Sequence, residues 1–215
     1  MSQPKVTVLS FNPLVTYVSS EGASTGNLLE AVKAGDLAAI RELLSKGADV
    51  HITDGNGKSV LMFAAHAGNL EIVKLLLENG AHVNEADHVG HTALMYAALN
   101  GNTEVFQTLS MAGAFIDANK ENGYTALSLA AMGGHNEIVN VLLDIGFSVN
   151  EKTGIGWTPL MGAVHNGHEQ TVEVLLTRGA DVHTQYRDGK TALMFASERG
   201  YGRIVEMLKK AGATE

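Results

Sequence analysis

The stretch Gly90-His91-Thr92-Ala93-Leu94 decides the fold, because it comes back at a constant interval. One step earlier it reads Gly57-Lys58-Ser59-Val60-Leu61. The later steps read Gly123-Tyr124-Thr125-Ala126-Leu127, Gly156-Trp157-Thr158-Pro159-Leu160 and Gly189-Lys190-Thr191-Ala192-Leu193. The interval is 33 residues, with no slippage. Two more glycine columns keep the same step. One is Gly35, Gly68, Gly101, Gly134, Gly167 and Gly200; the other is Gly47, Gly80, Gly113, Gly146, Gly179 and Gly212. A fixed period of this length marks stacked supersecondary units rather than a single globular core.

Within one unit, residues 90–122, the physical chemistry predicts two helices. Thr92 stands where an N-cap belongs, its hydroxyl able to accept from an early helical N–H. Pro159 takes the first helical position in another unit, where its missing N–H costs nothing. Leu94, Tyr96, Ala97 and Ala98 give a short helix with a small apolar inner side, and Gly101 closes it in the left-handed conformation. Asn102 starts a second helix, with Glu104 near its positive end. Val105, Phe106 and Leu109 leave that helix apolar on two sides, so it must be sandwiched between neighbours. Gly113 ends it, and an extended segment leads to the next glycine turn. No unit can bury its apolar faces alone, so stability must come from adjacent units.

These residues resemble the ankyrin repeat. The period, the helix start and the exits Gly47-Ala48-Asp49-Val50-His51, Gly80-Ala81-His82-Val83-Asn84 and Gly179-Ala180-Asp181-Val182-His183 all have counterparts in that family. The resemblance covers about residues 24–215 and implies an all-α ankyrin-repeat solenoid with β-hairpin-like loops. Its expected units are 24–56, 57–89, 90–122, 123–155, 156–188 and 189–215. One departure recurs: where the family usually has His, this chain has Met62, Met95, Ser128, Met161 and Met194. That removes a family hydrogen bond between loops and reads as a variant of the family, not as a methionine-rich site.

The ends look capped. The first unit lacks the Gly-x-Thr signature, and the last carries Lys209 and Lys210 where inner units have residues facing a neighbour, such as Leu77, Leu143 and Leu176. Residues 1–23 lie outside the period. Their apolar positions, among them Val8, Phe11, Leu14 and Tyr17, predict an N-terminal extension packed over the first unit as an extra cap.

Composition supports an ordered array. Hydrophobic residues make up 45% of the chain, ample for burial, and the 24 glycines are accounted for by the repeated turns. With no cysteine, disulfides, thiolate metal clusters and thiol nucleophiles are excluded. A net charge of −8 argues against general nucleic-acid or anionic-membrane binding. The charge is uneven: residues 87–119 carry Asp87, Glu104 and Asp117 without Lys or Arg, and the C-terminal end is mildly basic. No apolar run approaches the ~20 residues of a membrane span. A cytoplasmic location is expected, with an exported form whose leader was removed as the alternative.

Several strings imitate chemistry. Gly57-Lys58-Ser59 and Gly189-Lys190-Thr191 resemble the end of a phosphate-binding loop, but the glycine required five residues earlier is Ile52 or Thr184. Gly154-Ile155-Gly156 runs into Pro159 where a dinucleotide fingerprint needs glycine. His165 and His168 are separated by the helix breaker Gly167, and His88 and His91 lie on a turn, so neither pair has zinc-protease geometry. These histidines are expected to be exposed loop residues available to a partner. No enzyme activity, cofactor, small-molecule substrate or metal site is expected.

A solenoid offers an extended concave surface. In ankyrin-like proteins the resemblance places binding on loop tips and the exposed inner side of each first helix. The expected partner-binding residues are those that vary there from unit to unit. They are Lys58, His66, His88, His91, Leu99, Asn100, Glu121, Tyr124, Met132, Ile155, Trp157, His165, Tyr186, Arg187, Lys190 and Arg199. Trp, Tyr and Arg concentrate interface energy. Trp157 has two open readings, partner anchor or packing against the next hairpin. Gly162 stands where other units have Phe63, Tyr96, Leu129 and Phe195, and is expected to leave a gap that admits Phe147. The function expected is a monomeric, non-catalytic protein-binding module, regulatory or scaffolding. The alternative is a dedicated inhibitor that occludes the active site of an enzyme or toxin.

Overall fold

The computed structural model describes residues 27–116, 123–154 and 156–214. Among the described residues twelve helices follow one another in six pairs. They are α1 (Leu28–Ala34) and α2 (Leu37–Ser45), α3 (Val60–Ala67) and α4 (Leu70–Glu78), α5 (Ala93–Asn100) and α6 (Thr103–Met111), α7 (Ala126–Gly133) and α8 (Asn136–Asp144), α9 (Pro159–His165) and α10 (Glu169–Thr177), α11 (Ala192–Glu198) and α12 (Gly202–Lys210). Among the described residues no strand forms. The loops carry isolated antiparallel bridges, Thr53 with Ser59, Ala86 with Thr92 and Gln185 with Thr191. The N-terminal extension and Lys120, Glu121 and Ile155 lie outside the described residues.

The repeated signature acts as the period predicts. Ser59, Thr92, Thr125, Thr158 and Thr191 each cap a helix by accepting the N–H three residues on. The methionine column sits at that capped position. Met62, Met95 and Met161 are buried, and the Met62 sulfur accepts the Ser59 N–H at 3.4 Å. Ser128 does the same for Thr125 at 2.9 Å. At these two positions the residue that replaces the family His thus closes the cap locally. All three glycine columns take positive φ, from 69° to 102°, where a Cβ is disfavoured.

First helices pack against first helices along the array, and second helices form a parallel but looser row. Residue size explains the difference. Ala64, Ala65, Ala97, Ala98, Ala130, Ala131 and Ala163 let the first row approach closely, whereas Leu76, Phe106, Leu109, Leu142 and Leu175 hold the second row apart. A stack closer on one side than on the other curves toward the close side, which makes the first-helix face concave. The core runs continuously through every unit instead of closing around one centre. At the far end Lys209 and Lys210 are exposed, whereas Leu77, Leu143 and Leu176 are partly buried.

Hydrogen bonds tie neighbouring units. Asn102 Nδ2 donates to the Ala65 and His66 carbonyls at 2.9 and 3.2 Å. His135 and His168 use Nε2 in the same way, at 2.8 Å to Leu99 O and 2.9 Å to Met132 O. Unlike Asp36 and Asn69, these three residues do not cap their own helices; they satisfy the carbonyl end of the preceding unit.

Candidate functional site: the hairpin and inner-helix face

Three hairpins present one side chain each at a position fixed by local bonding. The N–H groups of Lys58 and His91 donate to Asp54 and Asp87 carboxylates at 2.8 Å, and that of Trp157 donates to Thr153 Oγ1 at 2.9 Å. Five residues further on, the inner helix presents Phe63, Tyr96 or Phe195. Rings from the two columns meet in two clusters.

The first cluster is built on ions. Lys58 Nζ lies 4.6 Å from the Phe63 ring centre and 3.9 Å from that of Tyr96. Burial lowers its pKa, against the opposing pull of Asp54 and Asp87. The Tyr96 hydroxyl donates to Asp87 Oδ2 at 2.7 Å, while Asp87 Oδ1 accepts from the Val89 and His91 backbone. Burial and that bond push the Tyr96 phenol far above its ordinary value. His66 and His91 meet Tyr96 edge-on at 5.5 and 5.7 Å, and Tyr124 meets His91 at 6.0 Å. Partial burial, with Lys58 nearby, holds both imidazoles below their usual pKa. Asn100 donates to the Tyr96 carbonyl at 2.8 Å and lies 3.2 Å from the His66 ring nitrogen.

The second cluster is built on rings. Trp157 stacks on Phe195 at 5.3 Å and meets His165 and Tyr186 edge-on at 5.1 and 5.5 Å. Arg199 donates to the His165 ring at 2.7 Å, and burial, followed by that cation, lowers the His165 pKa. Lys190 pairs with Glu198 at 2.8 Å, and Arg187 donates to the Gly154 carbonyl at 2.6 Å. Trp157 therefore packs on the next unit while remaining half-exposed.

Other expected positions serve partly as framework. Leu99 and Met132 are half-buried, and their carbonyls take the His135 and His168 bonds. His88 is exposed and lies over Gly57, where an added Cβ would come within 2.7 Å of its ring. Glu121 and Ile155 lie outside the described residues. At Gly123, φ is +91° and an added Cβ would fall 1.9 Å from the Gly154 nitrogen, so consecutive hairpins touch through backbone. The space at Gly162 is taken by Met132 and not by Phe147: an added Cβ would meet Met132 atoms at 3.5–3.6 Å. With no side chain between them, α9 and α7 approach directly. The apparent phosphate-loop residues Ser59 and Thr191 are occupied in capping helices.

Phe63, Tyr96, Asp87 and Phe195 belong to this face but not to the residues expected there. The varying column from Phe63 to Phe195 was a usable signal. Asp87 carried none, because its role depends on the Tyr96 hydroxyl reaching it. Elsewhere, His51, His82 and Glu85 come together on the exit loops.

The chain belongs to the ankyrin repeat family: a model of ankyrin repeats in three copies matches residues 28–120 and 112–186. It is similar to the human ASB11 ankyrin repeat domain, a crystal structure with 28% identity and a TM-score of 0.79. That match covers 88% of this chain and 85% of the other. No curated protein matches it. The 653 matching solved chains show how widely the fold is used, so likeness alone selects no partner. Ankyrin repeats generally mediate protein–protein interaction and typically act without catalysis. No helix among the described residues is long and apolar enough to cross a membrane.

Proposed function

We propose that this chain is a monomeric, non-catalytic module, regulatory or scaffolding in the cytoplasm, that binds one protein partner along the hairpin tips and inner helices. The observation that carries this reading is the pair of half-exposed aromatic and cationic clusters on one face of an otherwise repetitive array. Residues that vary inside a constant framework, with rings held in place by neighbours, are pre-organised for contact and lose little entropy on binding. The contact residues proposed are those expected from sequence, joined by the half-exposed Phe63 and Tyr96.

The test uses His66→Glu with Arg199→Glu, two exposed positions at the ends of α3 and α11. Affinity capture with wild type and variant, each with its melting temperature measured, is expected to lose the partner from a variant that still unfolds cooperatively. Identical partners bound with equal affinity would reject this face. Size-exclusion chromatography with light scattering tests the monomer.

A further inference from the structure

The exit loops hold a second cluster, away from the aromatic face. His51 follows α2 and His82 follows α4, yet the two imidazoles lie 4.1 Å apart between ring centres, tilted by 35°. Glu85 completes the group, its Oε1 3.1 Å from His82 Nδ1. One ligand atom from each residue lies within 4.8 Å of the others. Tetrahedral zinc with bonds of ~2.0–2.1 Å needs ligand atoms roughly 3.4 Å apart. The His82–Glu85 pair already meets that spacing. His51 and His82 are both exposed, so small side-chain rotations can bring the third ligand in without disturbing the core.

This group stands where other loop junctions have a different link. At two later junctions the residue in the His51 position is asparagine, and it staples the next loop through its amide. Asn84 accepts from Phe115 N at 2.7 Å and donates to Gly113 O at 3.0 Å. Asn150 accepts from Asp181 N at 2.7 Å and donates to Gly179 O at 3.3 Å. At the first junction these two positions are His51 and His82, and the loops meet through imidazoles beside a carboxylate. Two imidazoles and a carboxylate suit zinc-class divalent ions, whereas magnesium and calcium prefer all-oxygen sets.

We propose that His51, His82 and Glu85 form a zinc site that clasps the first two exit loops in place of the asparagine staple. Solvent fills the remaining coordination position. The ion neutralises the Glu85 carboxylate and joins loops belonging to different helix pairs.

The chain carries its own control. His183 occupies the His51 position at a later junction, but the residue placed like His82 there is Thr214. Tag-free, chelator-treated full chain is titrated with zinc chloride by calorimetry, and its melting temperature is recorded with and without zinc. Wild type and His183→Ala are expected to bind one zinc per chain and to melt higher in its presence, because the ion binds the folded state. His51→Ala and His82→Ala are expected to bind at least about tenfold more weakly, since losses even in the second shell of zinc sites cost ~10–100-fold. Both should lose the zinc-dependent rise in melting temperature while melting normally without zinc. Equal zinc affinity in all four proteins, no saturable binding in wild type, or equal loss in His183→Ala would each overturn the proposal.

Discussion

The two clusters on the inner face occupy the same framework positions and hold themselves together by different physics. In the first, Lys58 lies against two rings and a carboxylate fixes the Tyr96 hydroxyl, so the rings are oriented by ions and hydrogen bonds. In the second, Trp157, Phe195, Tyr186 and His165 pack on one another, and the charged groups sit at the margin. Between them the same column holds Leu129 and Gly162, both buried, and no ring projects there. A constant backbone thus presents a polar-anchored patch and an apolar patch separated by a flat stretch. A partner that spans both must match two chemistries, which is a source of specificity that the repeated framework cannot supply.

That contrast predicts unequal responses to substitution. The largest belongs to Trp157→Ala, which removes three ring contacts at once. The expected loss is about 2–3 kcal/mol in urea denaturation, below the ~3–5 typical of a fully buried ring because Trp157 is half-exposed. A denaturation curve superimposable on wild type would make Trp157 a contact residue only and erase the distinction between the patches. Tyr96→Phe keeps the ring and removes one charge-assisted bond, and is expected to cost about 1–2 kcal/mol. If it costs as much as Trp157→Ala, the first cluster depends on its ions more heavily than the geometry implies.

The sequence showed the units, the caps and the turns because each is a local requirement repeated at one interval. Thr92 needs only the N–H three residues away, and Gly101 only its own φ. Contacts between units were less legible. That Trp157 packs on α11 depended on the distance to Phe195, which no interval encodes. Met132 at Gly162 depended on how closely two helices approach when one lacks a side chain. His51 and His82 occupy different positions within their units, so alignment of the repeats does not pair them; only stacking of successive loops does. His135 and His168 were visible as histidines, but their work as donors to the preceding unit needed the relative placement of two helix pairs.

Acidification separates the clusters more gently. His66, His91 and His165 titrate below the ordinary imidazole value, mainly through burial, with Lys58 or Arg199 adding to it. Asp87 pulls His91 the other way without reversing the shift. Between those lowered values and about 6.5 the unfolded chain binds more protons than the folded one. Stability is therefore full above that range and is lost as pH falls through it. The melting temperature is expected to fall between about pH 7.5 and about pH 5. Two of the three imidazoles lie in the first cluster, so His66→Asn with His91→Asn should flatten the profile more than His165→Asn does. An unaltered slope in the double variant would remove the neutral histidines from the first cluster's description.

The smallest change is expected at the flat stretch and has the opposite sign. Gly162 lies inside α9, where glycine costs about 0.5–1 kcal/mol relative to alanine through the freedom it loses on folding. An added Cβ would meet Met132 at 3.5 Å, an ordinary van der Waals distance, so the methyl group fits without moving α7. Gly162→Ala is therefore expected to stabilise the chain by roughly 0.5–1 kcal/mol in urea denaturation. A larger side chain has no such room, and Gly162→Phe, which introduces the ring that Phe195 supplies in the next unit, should destabilise by driving Met132 away. If phenylalanine were tolerated as well as alanine, the flat stretch would not be set by close approach of α7 and α9. The gap between the two patches would then be a matter of residue choice alone.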